Sequence, residues 1–146
     1  MLYRSRAVLA ALWGGLLLCV AFIAAPSAFA VLERSQAGLL VGRLFALEAY
    51  ISLAAGLLLM MMERRLGRDG GGPVFSVAML LPAGALFCTV AGYFGLQPLM
   101  AAARAGQGGW SFMTLHALSF GFYGAKTLLV LVLAWRASKE SGQSQS

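Results

Sequence analysis

The sequence predicts an all-α fold set in a membrane: a four-helix transmembrane bundle with both N- and C-termini cytoplasmic. Three observations predict it. Of 146 residues, 60% are hydrophobic and only 11% are charged, whereas a soluble domain is about a quarter charged. The apolar residues gather into four blocks long enough to cross a bilayer, which takes about 20 residues each. The arginines and lysines cluster at the ends of those blocks, as topology-setting charge does.

The first block covers about residues 7–25, preceded by Arg4 and Arg6 and closed by Pro26, which withholds an N–H and so is expected to end the span. Its basic start and Ala28-Phe29-Ala30 imitate a secretory signal peptide. The apolar stretch exceeds the usual signal core of about 7–15 residues, so it is read as a retained span. Residues 27–36 suit a short interfacial helix or turn, because Glu33 and Arg34 need water or headgroups.

The second block covers about 37–62. Gly38, Gly42 and Ala46 recur every four residues, a small-residue face on which another helix can dock closely. Glu63 to Pro73 is expected to form a polar hairpin loop, with flexibility from Gly70, Gly71 and Gly72. No lysine and serine follow at phosphate-loop spacing, so the glycines are not a nucleotide cradle. The third block covers about 74–96, with Pro82 inside it and a second small-residue face at Gly84, Cys88 and Gly92. Residues 97–113 are expected to be a loop anchored by Trp110 at the headgroups. The fourth block covers about 114–135 and leaves a polar, frayed tail, 136–146. The whole, 1–146, is read as a single transmembrane domain without an internal repeat.

Orientation follows from the basic residues. With both termini inside, the cytoplasmic face carries Arg4, Arg6, Arg64, Arg65, Arg68, Arg136 and Lys139, and the outer face only Arg34 and Arg104. The expected location is the cell (cytoplasmic or inner) membrane, with the lipid bilayer as the first partner. The net charge of +6 belongs to that surface pattern and to anionic headgroups, not to nucleic acid. Cys19 and Cys88 lie in apolar blocks and behave as small hydrophobes. A homo-oligomer or a membrane partner would dock on the Gly38/Gly42/Ala46 face or the Gly84/Cys88/Gly92 face.

Ionisable residues within spans are costly and are the natural candidates for function. Arg43, Glu48, His116 and Lys126 are such residues. Glu48 and Lys126 lie 11 and 12 residues into their blocks, about 16 and 18 Å deep at the helical rise. Opposite charges at one depth predict a contact. His116, Ser119, Tyr123 and Lys126 follow a three-four-three spacing and share a face of the last span, which should turn inward or toward a neighbouring subunit. The candidate intramembrane polar layer is therefore Arg43, Glu48, His116, Ser119, Tyr123 and Lys126.

Such a layer fixes helix register, relays protons or ions, or anchors a polar ligand. His116, the sole histidine, raises a haem or redox reading, but a bis-histidine site would need a second subunit. Met60, Met61 and Met62 point in different directions on a helix and make no copper site. No nucleophile–base–acid constellation exists, so no enzyme, metal or cofactor is expected.

Trp13-x-Gly15, Phe22-Ile-Ala-Ala-Pro26-Ser-Ala-Phe29, Ala37-Gly38, Gly42-Arg43-Leu44-Phe45 and Leu115-His116-Ala-Leu-Ser119, in this order and spacing, resemble the transmembrane protein 205-like domain family. The resemblance spans about residues 8–135. It implies four spans with both ends on one side, and no assigned activity for bacterial members. In similar sequences the last motif is followed by Asn and Gln, where Tyr123 and Lys126 stand here. The reading is of a non-enzymatic membrane protein with a structural or partner-subunit role. The alternatives are a small oligomeric transporter or conducting subunit using Glu48 and Lys126, and a redox protein with His116 as ligand.

Overall fold

In the computed structural model of the chain, which describes residues 1–70 and 77–143, four long helical rods form an antiparallel bundle. They are α1 (Leu2–Val31), α2 (Arg34–Asp69), α3 (Ala78–Arg104) and α4 (Phe112–Gln143). No strand occurs among the described residues. All four rods are long and apolar enough to cross a membrane, so the chain is a multi-pass membrane protein. At 36 residues, α2 is about 54 Å long and overshoots the roughly 30 Å hydrocarbon core.

That overshoot corrects four expectations. The first helix does not stop at Pro26 but continues to Val31. A π-helical turn, Val20–Ala24, lies just ahead of the proline, and the Ala25 N–H reaches back to the Val20 carbonyl. The wider turn absorbs both the missing N–H and the ring's clash with the preceding turn. The helix ends instead where Leu32 turns extended, at φ −112° and ψ 152°, with Glu33 as the cap of α2.

Residues 63–69 are helical rather than loop, because Glu-Arg-Arg-Leu contains no breaker and good helix formers carry the rod past the apolar block. Gly71, Gly72 and Pro73 of the expected hairpin, and the start of the third block at 74–76, lie outside the described residues. Residues 97–104 are helical too, after a second π-helical turn at Val90–Gly95. Finally, 136–143 extends α4 rather than fraying; 144–146 lie outside the described residues.

The two π-turns expose a local echo that sequence reading missed. Phe22-x-x-x-Pro26 and Phe94-x-x-x-Pro98 each sit at such a turn, near the same end of the bundle.

In cross-section the rods form a ring: α1 neighbours α2 and α4, and α3 neighbours α2 and α4. Three heptad-like stripes line the interior. They are Arg6, Ala10, Trp13 and Leu17 on α1; Glu48, Ser52, Ala55, Leu59 and Glu63 on α2; and Lys126, Val130, Leu133 and Ala137 on α4. Four-three spacing is the seam of near-parallel packed helices. Close approach depends on glycine at two positions. A Cβ on Gly56 would come within 2.6 Å of Leu86, and one on Gly92 within 2.5 Å of Phe122.

Gly84 also meets α4, 3.1 Å from Leu129. The Gly84/Gly92 face is thus filled from within the chain, whereas a Cβ on Gly38 or Gly42 would meet nothing within 4 Å among the described residues. The outside is apolar: Phe22, Leu39, Phe87 and Phe120 are each at least 66% exposed, a surface that suits acyl chains and not water.

Candidate functional site

Glu48 on α2 and Lys126 on α4 meet across the diagonal of the ring. Lys126 Nζ donates to both carboxylate oxygens of Glu48, at 2.8 and 2.9 Å. Both residues are buried, at 2% and 3% exposure. The carboxylate has a second partner line: Trp13 Nε1 donates to Ser52 Oγ at 2.8 Å, and Ser52 Oγ donates to Glu48 Oε1. Lys126 Nζ also lies 4.7 Å from the centre of the Tyr123 ring, a cation–π contact strengthened by the absence of water. Three helices therefore converge on one ion pair, which has no net charge.

Local sequence explains each position. Glu48 and Ser52 are one turn apart, so their side chains meet on the inner face of α2. Trp13 follows Arg6 by two turns on the α1 seam. Lys126 heads the α4 seam and is surrounded by apolar residues that leave Glu48 as its counter-ion.

Above this pair, α4 satisfies the two π-turns. Tyr123 Oη donates to the Leu17 carbonyl, just before the first π-turn, and Ser119 Oγ donates to the Gly92 carbonyl within the second, both at 2.9 Å. The Leu96 N–H bonds the Tyr93 carbonyl, which leaves Gly92 without its ordinary helical donor. Phe45 packs edge-on against Tyr123 at 5.2 Å.

Two members of the expected layer stand apart from it. Arg43 is exposed. Five residues from Glu48, it is rotated about 140° around the helix and so faces outward. His116 is also exposed and stacks on Phe112 at 5.8 Å, with Arg104 on the same ring. The buried residue at that level is Leu115, at 3% exposure, and His116 is turned about 100° from it. The stripe thus joins Ser119, Tyr123 and Lys126 to Glu48 but leaves His116 at its edge.

The structure adds a second charged cluster. Arg6 is 2% exposed. Its guanidinium donates to both oxygens of Glu63, at 3.0 and 3.1 Å, and to Glu140 Oε2 on α4. Arg6 had been assigned to the surface. The signal for its burial is the four-three spacing with Ala10 and Trp13, and Glu63 likewise continues the Glu48–Ser52–Leu59 stripe. Fifteen residues separate Glu48 from Glu63, so the two layers lie about 22 Å apart. Ala55, Leu59, Ala85, Val130 and Leu133 belong to one buried apolar cluster between them. Among the described residues no group of three histidine, cysteine or acidic side chains is placed to hold a metal ion.

No curated protein and no solved structure matches the chain. Residues 8–108 match the model of a family described as a domain of unknown function, DUF4149. The matched stretch includes Trp13, Glu48, Ser52 and Glu63 and covers well over half the sequence. The chain therefore belongs to the DUF4149 family.

Proposed function

We propose that this chain acts as a structural or partner subunit in the membrane, of the transmembrane protein 205-like type, and is neither an enzyme nor a pore. The observation that carries this reading is the closure of the Glu48–Lys126 pair: each charged group has its counter-charge, and Trp13, Ser52 and Tyr123 occupy its flanks. A buried pair so enclosed holds three helices in register. The apolar cluster between the two charged layers supports the same reading, since a conducting path needs polar steps along its length. The Trp13, Pro26 and Leu115–Ser119 motifs support the family type.

Both ends of the chain meet at the Arg6–Glu63–Glu140 cluster, beside Arg64, Arg65, Arg68 and Arg136. That basic end faces the cytoplasm by the positive-inside rule, in the cell membrane.

Purified protein in liposomes tests the reading. Proton and cation flux should equal that of empty vesicles, and Glu48→Gln should lower thermal stability in detergent. Flux that disappears in Glu48→Gln while stability is unchanged would instead establish the transporter alternative. A Soret band lost in His116→Ala would establish the redox one.

A further inference from the structure

One of the exposed arginines of α2, Arg43, lies within the apolar part of the rod. Among the described residues Arg43 makes no hydrogen bond or ion pair. It sits nine residues into the rod, about 14 Å from the Arg34 end, on a face shared with Leu39, Leu47 and Tyr50. Leu39 is 79% exposed and Tyr50 is 62% exposed, so this face looks into lipid. An isolated guanidinium there is costly.

Two phenols accompany it. Tyr50 is two turns along the same face. Tyr93 of α3 lies in the electrostatic field of both Arg43 and Tyr50. Tyr50 and Tyr93 both pack edge-on against Phe94, at 5.5 and 5.1 Å. Neither hydroxyl has a hydrogen-bond partner among the described residues. Side chains on a helix lean toward its N-terminus. For α2 that direction is toward the nearer headgroups, so Arg43 and Tyr50 both reach that way. Gly38 and Gly42 leave open space beside Arg43.

We propose that Arg43, with Tyr50 and Tyr93, binds the phosphate of an anionic lipid headgroup drawn down along the α2–α3 face. Charge complementarity selects this occupant over a second copy of the chain. Of the five carboxylate side chains in the sequence, Glu48, Glu63 and Glu140 are engaged internally. Glu33 and Asp69 lie at the two ends of α2. A copy in the same orientation therefore brings no free carboxylate to the depth of Arg43. A phosphodiester offers the guanidinium paired acceptors and carries its own acyl chains for the apolar surroundings.

The test is native mass spectrometry and thermal unfolding of the detergent-solubilised full chain titrated with phosphatidylglycerol. Phosphatidylcholine and inorganic phosphate serve as separate arms. Phosphatidylglycerol should bind and raise the unfolding temperature, and the other two should not. Arg43→Gln should weaken that binding about tenfold, in keeping with loss of a charged hydrogen bond, while unliganded stability does not fall. Arg43→Lys should recover part of it. The double variant Arg64→Gln/Arg65→Gln, at the opposite end, should leave the high-affinity event intact. An unaltered phosphatidylglycerol response in Arg43→Gln overturns the proposal, as does an equal response to inorganic phosphate. Loss of a dimer in Arg43→Gln with no change in lipid binding would assign the residue to a protein interface instead.

Discussion

At the scale of single residues, the embedded charges divide into those with company and those without. Lys126→Met removes the counter-ion of a carboxylate with no water to turn to, and breaking such a pair costs about 3–5 kcal/mol. Unfolding of the purified protein in detergent should show a loss of that order. Trp13→Phe removes one neutral donor and should cost about 1 kcal/mol. Arg43→Gln and His116→Ala should change unfolding by no more than about 0.5 kcal/mol, as outward-facing substitutions do.

The Glu48–Lys126 contact was legible from depth counting alone, because two opposite charges at one level of a bilayer have few other partners. Arg43 was misplaced because depth was used without azimuth: a residue at the right height still faces lipid when the helix turns it outward. His116 was placed by its spacing, but over the ten residues to Lys126 the face drifts by about 80°, and Leu115 takes the buried position. Arg6 was missed for the opposite reason. It was counted as part of the basic flank, although its spacing to Ala10 and Trp13 put it on the inner seam.

At the scale of elements, the π-turns and their caps set the shape of the half of the bundle away from the Arg6–Glu63 cluster. Tyr123→Phe takes one of two donors from the Leu17 carbonyl, which keeps the Val20 N–H, and should cost about 1 kcal/mol, whereas Ser119→Ala leaves the Gly92 carbonyl without its side-chain donor, at about 1–3 kcal/mol if the group stays dry. Amide hydrogen exchange should speed up in residues 20–31 for the first variant and 90–104 for the second, while the Arg6–Glu63 end stays protected.

Helix packing gives a parallel contrast. Gly92→Val must displace Phe122 and should lose about 1–3 kcal/mol, whereas Gly42→Val meets nothing among the described residues and should be tolerated. The sequence revealed both small-residue faces but not which one the chain fills itself, since the motif licenses close approach by any helix. Helix lengths were underestimated because hydropathy marks the hydrocarbon core, not the end of helical hydrogen bonding. Pro26 looked like a terminator because nothing in local propensity announces a π-turn that accommodates it.

At the scale of the whole molecule, two charged layers hold α1, α2 and α4 together around an apolar middle. The lower one, Arg6 with Glu63 and Glu140, ties the start of α1 to the far ends of α2 and α4. Arg6→Gln should therefore expose the chain ends: protease cleavage near both termini of the detergent-solubilised protein should accelerate, while the Glu48 layer still unfolds as one unit. The upper layer crosses the ring and decides whether the spans assemble in this register.

The most direct test of that arrangement is a charge-exchange cycle on unfolding stability in detergent, comparing Glu48→Lys, Lys126→Glu and the combined variant. Each single change places two like charges in a dry centre and should collapse the bundle, whereas the combination should recover a substantial part of the lost stability. A double variant no better folded than either single one would contradict the account, for it would mean the two residues do not depend on each other.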